Sequence, residues 1–141
     1  MITQRYPEDF IAPMREELTR IGFLQLQTAE EVDEAVQRPG TTMIVVNSIC
    51  GCAAGKARPA IAMAIRGDIR PDHLTTVFAG GDIEATSRAR ELMAPYPPSS
   101  PSIALLKDGK LVYMMERREI EMSGPDGIAS QLKAAFAEHC S

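Results

Sequence analysis

The run Thr41-Thr-Met-Ile-Val-Val-Asn47 limits what this chain can fold into. It is rich in β-branched residues, and its apolar positions 43–46 do not alternate with polar ones. The pattern predicts a strand covered on both faces, and such a strand belongs in a sheet with a layer of structure on either side. The flanking sequence supplies those layers. Pro13-Met-Arg-Glu-Glu-Leu-Thr-Arg-Ile predicts a first helix, with Pro13 at its first position, Met14, Leu18 and Ile21 on one face and Gly22 at its end. Phe23-Leu-Gln-Leu-Gln alternates like a short strand. Thr28-Ala-Glu-Glu31 has the form of a capping box and opens a helix to about Gln37, with Val32, Ala35 and Val36 on its apolar side.

Beyond the central strand, a small-residue helix is expected over 52–66, with Ala53, Ala57, Ala60, Ile61, Ala64 and Ile65 buried. The Pro59 ring would meet the Gly55 carbonyl, so a kink is expected there. A strand over 74–79, a Gly80-Gly81 turn and a helix capped by Asp82 and reaching Met93 come next. A proline-rich loop over 95–101 leads to a hairpin, 103–107 and 110–115, whose Asp108-Gly109 turn is a strong hairpin signal. Gly124-Pro125-Asp126 opens a last helix that buries Ile128, Leu132, Ala135 and Phe136. The order α-β-α-β-α-β-α-β-β-α predicts an α/β fold, a central mixed sheet with helices on both faces and an antiparallel edge. At 141 residues, 45% of them hydrophobic and 24% charged, the chain is expected to form a single domain over residues 1–141.

A net charge of -4 without a basic run argues against nucleic acid as a partner. No apolar stretch is long enough to span a membrane. The N-terminal Met1-Ile-Thr-Gln-Arg-Tyr-Pro lacks a signal-peptide pattern. A cytoplasmic location without membrane partners is the expectation, and the sequence leaves the oligomeric state open. Three cysteines, Cys50, Cys52 and Cys140, do not make a disulfide framework. In a reducing compartment, two of them one residue apart point to redox chemistry or to metal.

The pair lies in Asn47-Ser-Ile-Cys-Gly-Cys-Ala-Ala-Gly55, where the buried strand gives way to a helix. Unsatisfied first-turn amides stabilise a thiolate and lower its pKa. Cys50, just before the helix, is therefore expected to be exposed and to attack, and Cys52, just inside it, to be shielded and to resolve. Gly51 gives the backbone freedom to join the sulfurs in a tight ring. Strained disulfides are more oxidising, which suits exchange or isomerisation. As plain core filling, two cysteines around a glycine are a poor choice. A metal or cluster site on the same cysteines would have to draw its other ligands from His73, His139 and Cys140.

A strand entering a cysteine turn and a helix, with a proline-led hairpin later, resembles the thioredoxin-like fold. The Asn-Ser-x-Cys-Gly-Cys-Ala-x-Gly motif, with the segments Met14-Arg-Glu-Glu-Leu-Thr-Arg-Ile-Gly-Phe and Thr28-Ala-Glu-Glu-Val-Asp before it, resembles the bacilliredoxins over nearly the whole chain. That resemblance implies removal of bacillithiol from protein mixed disulfides. Cys50 would take up the bacillithiol, and Cys52 or free bacillithiol would release it. It also implies weak disulfide isomerase activity, bacillithiol as co-substrate and no bound cofactor or metal. The partners would be protein mixed disulfides and a low-molecular-weight thiol.

Ser100-Pro101 is similar to the thioredoxin stretch in which a cis-proline starts a strand, faces the cysteines and offers substrate a backbone edge. Pro101 is expected to be cis, ahead of Pro97 and Pro98. Asn47 and Ser48 are expected to hydrogen-bond the cysteine turn. Lys56 and Arg58 would either add positive potential near the thiolate or lie on a solvated face. Cys140 reads as an exposed tail residue, Gly80-Gly81-Asp82 as a plain turn rather than a phosphate cradle, Glu116-Arg-Arg-Glu as an exposed strand end, and the eight methionines as core filler.

Overall fold

In the computed structural model, which describes residues 5–141, five strands form one sheet of order β1-β3-β2-β4-β5. They are β1 Leu24–Gln25, β2 Thr41–Asn47, β3 His73–Phe78, β4 Ser102–Lys107 and β5 Lys110–Met115. β1, β3 and β2 run parallel, whereas β4 pairs antiparallel with β2 and β5 antiparallel with β4. Every residue of β2 is buried, as its unbroken apolar run requires. Its period of two sends Met43 and Val45 into one core and Ile44 and Val46 into the other.

Helices cover both faces. Leu18 of α1 (Glu8–Thr19), α3 (Arg58–Ala64) and α6 (Pro125–His139) pack on the first core, and α2 (Ala29–Gln37) and α4 (Ile83–Leu92) on the second. Each large apolar side chain buried this way contributes roughly 1.5–3 kcal/mol. The Thr28 capping box forms as expected, with the Glu31 amide on the Thr28 Oγ1 at 3.1 Å and the Thr28 amide on the Glu31 carboxylate at 3.1 Å. The hairpin turn places Asp108 and Gly109 at φ 50° and 83°, the left-handed pair that the Asp-Gly signal implies.

Several expectations need correction. α1 starts at Glu8, not at Pro13, which lies inside it. The Pro7 carbonyl accepts the Phe10 and Ile11 amides, and Glu8 and Asp9 suit the first turn. Ile11, Arg15 and Leu18, spaced along one face, anchor a helix that gives up one internal bond at Pro13. Asp82 stands at the N-cap of α4, but its side chain caps nothing there; it accepts from Arg15 instead. Residues 116–119 are not a strand end. They open a short helix, α5 (Arg117–Glu121), boxed by Glu116 and Glu119 and anchored by the buried Ile120. Cys140 is half-buried against the first core rather than exposed. Met43, Met93, Met114 and Met115 are core residues, Met122 is 86% exposed, and Met1 lies outside the described residues. Pro101 follows a cis bond, and so does Pro95, which the sequence did not single out.

The kink expected at Pro59 takes the form of a π-helical turn, Ala53–Ala57, running into α3. The Arg58 amide reaches back five residues to the Ala53 carbonyl. Pro59, at the second position of α3, has no amide to give. Among the described residues no helix is long and apolar enough to cross a membrane.

Candidate active site

The end of β2 and the turn after it form a ladder of short bonds. Asn47 is buried; its Nδ2 donates to the Met14 carbonyl at 3.1 Å, and its Oδ1 accepts the Ser48 amide at 2.9 Å. The Ser48 Oγ accepts the Cys50 amide at 3.0 Å. Arg58, 4% exposed, reaches under the turn and donates to the Asn47 Oδ1 at 2.9 Å and the Ser48 carbonyl at 3.0 Å, while pairing with Glu17 at 2.9 Å. Of the two readings open for Arg58, the solvated face is therefore excluded; its charge lies beneath the cysteine turn. Lys56 instead donates to the Glu121 carbonyl at 2.6 Å and ties the π-helical turn to α5.

Both cysteines are free thiols and both are half-buried, so exposure does not separate them as expected. Their electrostatic surroundings do. Burial pushes the Cys50 thiol up, but the Ala53 amide, the Ser48 hydroxyl, the Cys52 amide and the Cys52 thiol together bring it below the ordinary cysteine value. These donors are the first-turn amides of a helix and a hydroxyl already fixed by the turn, so they need little reorganisation to face a thiolate. Burial raises Cys52, and so do the hydrogen bond and the charge of Cys50 and the charge of Glu121, with Arg117 opposing. The surroundings thus favour the thiolate on Cys50 over that on Cys52. Gly51 is exposed, and a Cβ there would meet nothing within 4 Å, so it leaves open space beside the sulfurs.

Sequence reasoning missed α5. Arg117 has its charge stabilised chiefly by Cys50 and then by Glu121. The attraction is mutual, so Arg117 also favours the Cys50 thiolate. The same side chain donates to the Ser100 carbonyl at 3.3 Å and lies 3.5 Å from the Glu121 carboxylate. Arg117 thus links the loop before Pro101, itself buried, to the cysteine turn. The Glu121 Oε2 stands 3.7 Å from the Cys52 Sγ. The one signal in the sequence was the Glu116-x-x-Glu119 spacing, a capping box with Glu in place of Ser or Thr.

The residues put forward as further metal ligands point elsewhere. His73 Nε2 lies 3.1 Å from the Pro39 carbonyl, and His139 Nε2 pairs with Glu138 at 3.0 Å. Burial raises the Cys140 thiol above its ordinary value. Among the described residues no three His, Cys, Asp or Glu side chains converge as a metal site.

This arrangement has relatives. Residues 6–140 match the family described as disulphide isomerase. The chain is 54% identical over 135 residues to a bacilliredoxin of Bacillus cereus, covering 96% of this chain and 94% of that one. It is 54% identical over 132 residues to one from Geobacillus kaustophilus, covering 94% and 91% of the two chains. A bacilliredoxin of Cytophaga hutchinsonii is 52% identical over 133 residues, covering 94% and 98%. Among solved structures, Fasciola hepatica thioredoxin superposes with a TM-score of 0.58 at 18% identity, over 82% of this chain and 97% of that one. The Malassezia sympodialis thioredoxin gives 0.56 at 14% identity, over 85% and 92%. The topology is that of thioredoxin, and with identity above one half across nearly all of its length, the chain belongs to the bacilliredoxin family.

Proposed function

We propose that this protein is a thiol-disulfide oxidoreductase that removes bacillithiol from protein mixed disulfides. The observation that carries this reading is the opposite treatment of two cysteines one residue apart, Cys50 held below the ordinary thiol value and Cys52 above it. The Cys50 thiolate attacks the bacillithiol sulfur of the client's mixed disulfide. A new Cys50–bacillithiol disulfide forms, the old bond breaks, and the client cysteine leaves as a thiolate that takes a proton from water. Cys52 then attacks the Cys50 sulfur, releases bacillithiol and leaves a Cys50–Cys52 disulfide. Alternatively, a second bacillithiol attacks the adduct and leaves as bacillithiol disulfide. A low-molecular-weight thiol or a dithiol reductant restores the pair. The chemistry needs no bound cofactor or metal. Asn47, Ser48 and Arg58 set the turn, Gly51 leaves room for the incoming disulfide, Arg117 holds the Ser100 carbonyl, and the cis Pro101 that follows is proposed to offer the client its backbone edge.

Mass spectrometry of two variants incubated with a bacillithiolated client tests the reading. Cys50→Ala is expected to release no client thiol, and Cys52→Ala to release it and accumulate bacillithiol on Cys50. An adduct on Cys52 would reverse the roles, and unchanged release by Cys50→Ala would overturn the reading. The family description favours a second activity at the same site, isomerisation of misformed protein disulfides. It predicts that Cys50 alone re-sorts a scrambled substrate in a thiol buffer.

A further inference from the structure

Resolution of the adduct requires Cys52 to become a nucleophile. Its surroundings keep it protonated, through burial, the neighbouring Cys50 and the Glu121 charge. Residues 41–49, which lead into the motif, contain no acid, and Glu17 is engaged by Arg58 at 2.9 Å. Among the described contacts, the carboxylate that meets a cysteine sulfur is that of Glu121, with its Oε2 3.7 Å from the Cys52 Sγ. The same oxygen lies 3.5 Å from the Arg117 Nε. The Lys56 bond to the Glu121 carbonyl, 2.6 Å, fixes the end of α5 beside the π-helical turn. Cys52 is thus faced by Cys50 from the turn, by Arg117 and Glu121 from α5, and has Lys56 on its own helix.

We propose that Glu121 is a catalytic residue of the resolving step, accepting the Cys52 proton as Cys52 attacks the Cys50 adduct. The proposal rests on the two-cysteine reading above. As the S–H bond of Cys52 breaks, the proton moves to the Glu121 carboxylate and the sulfur electron pair forms the bond to Cys50. The Cys50–thiol disulfide breaks, and its electron pair leaves on the outgoing thiolate. Cys52 is oxidised from thiol to disulfide, Cys50 stays at the disulfide level, the departing thiol is reduced, and the proton passes from Glu121 to that thiolate or to water. Timing supports the assignment. Once Cys50 is in a mixed disulfide it carries no charge, so one of the influences that keep the proton on Cys52 disappears just when resolution is due. Arg117 and Glu121 stay in place.

Ellman's reagent, 5,5′-dithiobis(2-nitrobenzoic acid), tests this without bacillithiol. With Cys140 replaced by Ser so that two thiols remain, Cys50 attack on it releases one equivalent of the yellow thiolate, and Cys52 attack on the adduct releases a second. In Glu121→Gln the second phase should slow about a hundredfold or more relative to the first near neutral pH, the usual range for a lost general base. The deficit should narrow as rising pH ionises Cys52 directly. A second phase as fast as with Glu121 intact, or a deficit equal at every pH, overturns the proposal. A single equivalent released with Glu121 intact would instead overturn the resolving role of Cys52 itself.

Discussion

The Arg58 guanidinium lies 2.9 Å from the Asn47 Oδ1, and that same oxygen accepts the Ser48 amide at 2.9 Å. A cation from the helix after the cysteines is thereby bonded to the strand before them. The turn is clamped from both ends, by a side chain that is almost completely buried.

Arg58→Ala removes three donors to the turn and to Glu17 at once. We expect a loss of about 2–3 kcal/mol in unfolding free energy, the range for buried hydrogen bonds to a charged group. Urea unfolding measures it. A change below about half a kcal/mol would mean that the clamp contributes little to the fold.

Ser48→Ala removes one of the donors that lower the Cys50 thiol. The midpoint of Cys50 alkylation against pH should move up, toward the ordinary thiol value. The sign for stability follows from the depressed folded-state pKa. The thiolate's contribution is fully present only above the unfolded thiol value and is lost as pH falls through the folded one. Ser48→Ala should therefore cost more at alkaline than at acid pH, apart from the constant cost of its bond to the Cys50 amide.

Asp82 holds Arg15 in a paired contact at 2.7 and 2.8 Å and also accepts the Phe78 amide and the Gln25 Nε2. Arg15 is 7% exposed, so Asp82→Ala leaves a buried cation with only the peripheral Glu8. Breaking a buried pair this way costs about 3–5 kcal/mol. Thermal and urea unfolding check it. The double variant Arg15→Met/Asp82→Leu should recover part of the loss, because no charge is then stranded.

Asp72 tests the acid side. The Thr41 amide holds its carboxyl below the ordinary value against the effect of burial, with help from the Thr41 hydroxyl and from the charge of His73. A depressed carboxyl adds stability above its unfolded value and loses it as pH falls through its folded one. Asp72→Asn should lower stability near neutral pH and flatten the acid limb, which stability measured against pH would show. Parallel acid limbs in the two proteins would contradict this.

The parts of the fold that were legible in the sequence are those set by neighbours along the chain. Thr28 and Glu31 are three residues apart, Asp108 and Gly109 are adjacent, and the run in β2 contains its own evidence of two-sided burial. The cysteine turn was legible for the same reason, since Asn47, Ser48 and Cys50 bond within four residues of one another. Arg58 was ambiguous because its partners, Glu17 and Asn47, lie 41 and 11 residues away. α5 was hidden for another reason. Five residues with one apolar anchor, Ile120, show no period, and a Glu box after a hairpin reads as a charged strand end. The helix exists because Ile120 finds the first core, and with it come Arg117 and Glu121.

The sheet ends in a two-residue strand on one side and, on the other, in β5, whose pairing with β4 shifts register at Leu105/Leu106. Long flat edges recruit strands from other chains, and short or irregular ones do not. With one margin cut to two residues and the other out of register, the sheet offers a neighbouring chain little template on which to add a strand.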